Sequence, residues 1–198
     1  YDVGNLKSVT NAMRYMGFDT RITSDPAELE RADAIILPGV GAFPDAAEKL
    51  RVPGLDKTLL TQAEKKPILG ICLGMQLLFE RSDESDGVPG IGVLEGDIIK
   101  IPDTPGLKIP HMGWNSLDIR PGTRLYEGIE NGSYVYFVHS YYLKARDEAI
   151  VAASTEYGCH IHASVESGNV FGCQFHPEKS STVGLSILKN FLSVPREV

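Results

Sequence analysis

The sequence predicts an α/β fold: a mixed, largely parallel sheet flanked by helices, with an antiparallel extension. Three observations lead there. Up to about Glu80, apolar strand-like runs alternate with helix-like stretches, the pattern of a parallel sheet covered by helices. Ala34-Ile35-Ile36-Leu37 is apolar at every position and ends at Pro38-Gly39-Val40-Gly41, as suits a strand buried on both faces. From Gly87 to about Arg146 turn signals and short strand-like runs take over, as in an antiparallel extension of the same domain.

The elements follow in order. Leu6, Val9, Met13 and Met16 fall at helical spacing, and Gly17 supplies a stop. Phe18 to Ile22 reads as a short strand and Pro26 to Arg31 as a short helix. After the Ala34 to Leu37 strand, Leu55 to Lys65 reads as a helix and Ile68 to Ile71 as a strand. A helix-like run, Met75-Gln76-Leu77-Leu78-Phe79-Glu80, comes next. Asp97 to Ile101, Asn115 to Ile119 and Ser133 to Val138 read as strands, with a turn at Asn131-Gly132. Ile150 to Ser154, Ile161 to Val165 and Asn169 to Phe175 are further strands, and Leu185 to Leu192 is a closing helix. Tyr1-Asp2-Val3-Gly4-Asn5 reads as a strand-to-helix turn with no strand before it. The expectation is that a first strand of roughly five or six residues is missing from this sequence.

Bulk properties narrow the function. A length of 198 residues suits one domain, residues 1–198. Lysine plus arginine number 19 and aspartate plus glutamate 26, a formal charge of −7 with no basic run. That argues against nucleic acid and anionic membrane as partners. No apolar stretch is long enough to span a bilayer. Cys72, Cys159 and Cys173 are odd in number and lack CxxC spacing, which argues against a disulfide framework and for a reducing cytoplasm. His160 and His162 alternate on a strand, but no third ligand stands out, so neither a metal nor a cofactor is expected.

The chemistry centres on Gly70-Ile71-Cys72-Leu73-Gly74, between a strand and a helix-like run. A Gly-x-nucleophile-x-Gly segment in that setting reads as a nucleophile elbow. The N-terminus of the following helix adds positive potential at the sulfur. Cys72 is thus placed to attack a carbonyl and form a thioester; the bland alternative is a small buried apolar residue. A cysteine nucleophile needs a base and an orienter. His176 and Glu178, two apart in Phe175-His176-Pro177-Glu178-Lys179, fall on one side of an extended backbone. An oxyanion hole needs aligned backbone donors. The Leu73 amide is one candidate, and the Gly39-Val40-Gly41 loop is the source of a second.

Elbow cysteine, Pro-Gly-Val-Gly loop, terminal His-Pro-Glu and the chain order Cys, His, Glu together resemble the triad glutamine amidotransferases, whose sheet is flavodoxin-like. Pro110-His111-Met112-Gly113-Trp114-Asn115 and Tyr136-Phe137-Val138-His139-Ser140-Tyr141 are similar to blocks in one branch, the glutaminase subunits of imidazole glycerol phosphate synthase. The resemblance runs from Tyr1 to the C-terminus. It implies glutamine hydrolysis by Cys72, His176 and Glu178, with oxyanion donors at Val40 and Leu73. It implies a glutamine pocket with Gln76, Glu84, His139, Ser140 and Tyr141, Glu84 facing the substrate's ammonium group. The family often has Thr where Ser140 stands, a change that keeps the hydroxyl. It implies a (β/α)8-barrel cyclase partner in a heterodimer, facing Trp114, Asn115, Tyr136 and Lys179. That partner would use the ammonia to make imidazole glycerol phosphate and aminoimidazole carboxamide ribonucleotide for histidine biosynthesis. A Gly39–Val40 peptide that reorients when the partner binds is a further expectation. Two alternatives stay open: the amidotransferase component of another synthase, and a non-catalytic thiol protein of related fold.

Overall fold

The computed structural model describes residues 6–194. The turn expected at Tyr1-Asp2-Val3-Gly4-Asn5, and any strand before it, lie outside the described residues. The chain opens with helices α1 (Leu6–Tyr15) and α2 (Pro26–Arg31), then strand β1 (Ile35–Gly39). Helices α3 (Phe43–Arg51) and α4 (Leu55–Ala63) lead to β2 (Ile68–Cys72) and the short helix α5 (Leu73–Leu77). Next come β3 (Arg81–Ser82), β4 (Gly96–Lys100), β5 (His111–Ser116), β6 (Asp118–Ile119), β7 (Tyr134–His139) and β8 (Tyr141–Ala145). Strands β9 (Val151–Glu156), β10 (His160–Ser167) and β11 (Val170–Cys173) and helix α6 (Ser181–Leu192) complete the fold.

The main sheet runs β1-β2-β11-β10-β8-β4-β3, with β9 also pairing with β10 and β6 with β9. Parallel pairing joins β1, β2 and β11, and also β3 and β4. The other ladders are antiparallel, and β5 and β7 form a separate two-stranded ribbon. The sheet is therefore mixed, with the antiparallel extension that the turn-rich half predicts. All five residues of β2 are buried. Alternate residues serve opposite faces. Ile68 enters a core with Phe43, Leu50 and Leu59, from α3 and α4. Leu69 and Ile71 enter a second core with Val9 and Met13 of α1 and Leu188 and Phe191 of α6. A central strand with apolar side chains on both faces, between two helix layers, accounts for its unbroken apolar run.

Three local features differ from the sequence-based expectation. Phe18 to Ile22 is irregular, with Phe18 and Ile22 exposed, because no described strand pairs with it. Asn115 to Ile119 is not one strand: Leu117 turns into the core and separates β5 from β6. Helix α3 is an addition. Its buried Phe43, Ala46, Ala47 and Leu50 stand at helical spacing, a signal present in the sequence.

Candidate active site

The elbow is built by close approach. A Cβ on Gly70 would meet the Met75 backbone at 2.5 Å, and one on Gly74 would lie 1.7 Å from the Leu37 carbonyl oxygen. Both positions therefore exclude any side chain. The strain falls on the nucleophile: Cys72 has φ 53° and ψ −114°, a conformation costing about 1–3 kcal/mol for a non-glycine residue. It sits where β2 ends and α5 begins, directly across from Gly39 at the end of β1. The Gly39-Val40-Gly41 loop is thereby held beside the sulfur. Amides in the first turn of a helix have no intrahelical acceptor, and Leu73 opens α5.

His176 and Glu178 follow β11. His176 Nδ1 is 2.9 Å from Glu178 Oε1, with side chains 2% and 1% exposed. The His176 amide donates to the Tyr136 carbonyl. The Ser180 hydroxyl donates to the His176 carbonyl and accepts from the Tyr136 amide, so the histidine is fixed to β7 by its backbone. A Cβ on Gly184 would lie 1.9 Å from the Pro177 carbonyl oxygen, which lets α6 approach from behind. His176 Nε2 is buried and no hydrogen bond of normal geometry closes on it, but the Cys72 sulfur is near enough to act on the ring; such bonds often tighten only when substrate arrives. Burial alone would lower the His176 pKa. The Cys72 sulfur and the Glu178 carboxylate outweigh it and push the value up to about 9.

These groups open on a cavity of about 270 Å³ lined by Val40, Gly41, Cys72, Leu73, Gln76, Glu84, Val138, His139, Ser140, Tyr141 and His176. Every residue expected from the sequence to line a substrate pocket lies on it; Glu178 stands behind His176. A larger recess of about 700 Å³ runs elsewhere, along residues such as Leu6, Phe18, Ile36 and Phe191, with no cysteine or histidine in its lining. Glu84 Oε2 accepts from the Phe43 amide at 3.0 Å, so it supplies the cap that Ala42 cannot provide for α3.

His139, on the pocket wall, and His111 beside it are neutral. His139 Nδ1 donates to the Tyr141 carbonyl at 2.9 Å, and His139 Nε2 is 3.0 Å from His111 Nδ1. Burial, reinforced for His139 by neighbouring His111 and His176, pulls His111 down to about 4 and His139 to about 3. Gln174, which carried no signal beyond its position before Phe175, is fully buried and donates to the Cys72 sulfur at 3.8 Å. His160 pairs with Glu156, and His162 accepts from the Ala145 amide. Neither belongs to a metal-binding group among the described residues.

On the β5–β7 ribbon, alternation separates two faces. Met112, Trp114 and Tyr134 are exposed, while His111, Val135, Phe137 and His139 are buried. Trp114 meets Tyr136 edge to face, ring centroids 6.1 Å apart, and Lys179 Nζ sits 5.8 Å from the Tyr136 ring centroid. Asn115 turns the other way, toward His111 and the Glu156 carbonyl. No helix among the described residues is long and apolar enough to cross a membrane.

A strained cysteine, a buried histidine raised by a carboxylate, and backbone amides beside the sulfur are the components of acyl transfer. The chain is similar to known proteins along nearly its whole length. The glutamine amidotransferase class-I family matches residues 1–194. The imidazole glycerol phosphate synthase subunit HisH of Caldanaerobacter subterraneus subsp. tengcongensis is 52% identical over 192 residues, 96% of this chain and 94% of that protein. The protein of the same name from Methanothermobacter thermautotrophicus is 50% identical over 197 residues, 99% of this chain and 96% of that one. A crystal structure of glutamine amidotransferase is similar with a TM-score of 0.75 at 21% identity, covering 96% of this chain and 93% of the other. A glutamine amidotransferase from Thermotoga maritima gives 0.64 at 17% identity, over 97% and 77%. At that identity the structural likeness speaks for the fold alone.

Proposed function

The chain belongs to the class-I glutamine amidotransferases and, within them, to the HisH subunits of imidazole glycerol phosphate synthase, and from that premise we propose that it hydrolyses glutamine through Cys72, His176 and Glu178 and passes the ammonia to a cyclase partner. The observation that carries the mechanism is the single cavity onto which Cys72, His176, Val40, Leu73 and Glu84 all open. In this reading residues 1–198 form one amidotransferase domain that works in the cytoplasm.

His176 takes the thiol proton of Cys72, and Cys72 Sγ attacks the carboxamide carbon of glutamine. Amides at Val40 and Leu73 hold the oxyanion of the tetrahedral intermediate, with Gly39 and Gly41 allowing the loop to aim its N–H. The C–N bond breaks as His176 gives its proton to the departing nitrogen, releasing ammonia and leaving a thioester. Water, deprotonated by His176, attacks the thioester; the C–S bond breaks, glutamate leaves, and His176 returns the proton to the Cys72 sulfur. Glu178 orients the imidazole and stabilises its charged form. Glu84 takes the substrate's ammonium group, and Gln76, His139, Ser140 and Tyr141 shape the pocket. The partner is a (β/α)8-barrel cyclase that docks on the face of Trp114, Tyr136 and Lys179, with Asn115 behind them. There the ammonia enters the synthesis of imidazole glycerol phosphate and aminoimidazole carboxamide ribonucleotide. Exposed aromatics beside a lysine suit the centre of such an interface.

The test is glutamate release from glutamine, first with this chain alone and then with the cyclase and its nucleotide ligand. The expected result is a low rate alone, a sharp rise in the complex, and loss in Cys72→Ala. Full activity in Cys72→Ala would overturn the triad, and a high rate indifferent to the cyclase would overturn the pathway.

A further inference from the structure

The Tyr141 carbonyl anchors a buried set of hydrogen bonds that ends on the nucleophile. Gln76 Nε2 donates to this carbonyl and to Gln174 Oε1, each at 3.0 Å. Gln174 Nε2 then faces Cys72 Sγ at 3.8 Å. On the other side, His139 Nδ1 donates to the same carbonyl at 2.9 Å, and the His111–His139 contact of 3.0 Å continues outward.

The direction of every bond in this set is forced. A backbone carbonyl only accepts, so the groups facing Tyr141 must be donors. Turning the Gln76 amide over would set its oxygen against the carbonyl oxygen. With Gln76 fixed, turning Gln174 over would set two amide nitrogens against each other. Gln174 must therefore offer its oxygen to Gln76 and its N–H to the sulfur. Likewise, neutral His139 carries its proton on Nδ1 and accepts at Nε2, so His111 donates from Nδ1. Both glutamines are buried, Gln76 at 5% and Gln174 at 0% exposure, so a donor or acceptor left unmet among them is costly. Both amide hydrogens of Gln76 are used within the protein, which leaves only its oxygen for a ligand.

We propose that Gln174 is a positioning residue for the nucleophile: its N–H, aimed by Gln76 and the Tyr141 carbonyl, holds the Cys72 sulfur in place and stabilises negative charge on it. The inference rests on the reading of Cys72 as the nucleophile. The sulfur also lies 3.9 Å from the Val138 carbonyl, an acceptor that suits a thiol and opposes an anion. Gln174 supplies the compensating donor, and donors to charged acceptors are the stronger kind.

The experiment follows iodoacetamide alkylation of Cys72 across pH, by mass spectrometry of the Cys72 peptide in the full chain. Gln174→Leu is expected to slow alkylation about tenfold near neutrality and to move the profile toward alkaline pH. Gln76→Leu, which leaves Gln174 in place without its guide, is expected to act in the same direction with smaller amplitude. In the complex with the cyclase, Gln174→Leu lowers kcat for glutamine more than it raises KM. Profiles matching the unsubstituted chain in both variants would overturn the proposal. Nuclear magnetic resonance of the Gln174 side-chain amide, with Gln174 and Gln76 intact, needs no destabilising variant. Its protons are expected to shift as Cys72 titrates and to lose that response in Cys72→Ala; no response overturns the proposal. Activity retained in Cys72→Ala would instead remove the reading beneath it.

Discussion

His111 and His139 are buried neutral bases, and that has a pH consequence. The unfolded chain binds a proton at each near the ordinary value of 6.5, while the folded chain resists until about 4 and about 3. Below 6.5 the unfolded state therefore holds more protons, so stability falls as pH falls. Each histidine contributes a slope of about 1.4 kcal/mol per pH unit in the window from 6.5 to its folded value. Urea titrations at a series of pH values are expected to show this loss, and His111→Phe to reduce the slope by about one proton. The Phe137 and Tyr157 rings that stack on His111 at 4.6 and 3.9 Å would hold phenylalanine as well. His176 is moved the opposite way by Cys72 and Glu178, so Glu178→Gln should lower kcat by roughly 10²- to 10⁴-fold, read from glutamate release in the complex. The pair His176 and Glu178 was legible from its spacing, but the extended backbone expected there is not what joins them: Pro177–Lys179 is a turn of 3-10 helix, and the two side chains meet at 2.9 Å across it. The contact between His111 and His139 was not, because they meet only through the register of the β5–β7 ribbon. Gln174 was not, because an amide gains chemical meaning only from what faces it.

At the scale of elements, close approach and backbone angle can be told apart by glycine substitution. Gly74→Ala would press a methyl group against the Leu37 carbonyl oxygen, where a Cβ has only 1.7 Å. A loss of about 3 kcal/mol or failure to fold is expected. Gly132 has φ +85° but nothing within 4 Å of an added Cβ, so Gly132→Ala should cost only about 1–2 kcal/mol. Denaturant midpoints of the two variants check the contrast. Helix α2 offers a third case. Lys66 Nζ donates to the carbonyls of Leu29, Glu30 and Ala32 at 3.1, 2.7 and 2.8 Å. It closes the C-terminal end of a helix with no buried residue of its own. Lys66→Met should cost about 2 kcal/mol in denaturant unfolding. Apolar runs made β1 and β2 visible in the sequence. Nothing local showed that a lysine over thirty positions away would finish α2, since capping from a distance leaves no periodic pattern.

At the scale of the whole molecule, the one tryptophan reports on one surface. Trp114 is 54% exposed on the outer face of the ribbon. Docking of the barrel partner on that face should desolvate the indole and move its emission to shorter wavelength; an unchanged spectrum in a complex known to have formed would put the interface elsewhere. The alternation of elements carried the fold class, and the turn-rich half carried the antiparallel extension. The order of strands did not follow from either. β11, late in the chain, pairs with β2, and only that long-range pairing brings His176 to Cys72.

Glu84 has one consequence beyond its own contacts. Its Oε2 is tied to the first amide of α3, and the loop bearing Val40 and Gly41 runs directly into that same helix start. In the proposed pose the ammonium end of the substrate rests on Glu84 and the reacting carbonyl on the loop. The two marks between which the substrate is measured thus share one origin. A shift of that helix start carries both together, so the side-chain length that the pocket accepts is preserved even when the surrounding structure breathes.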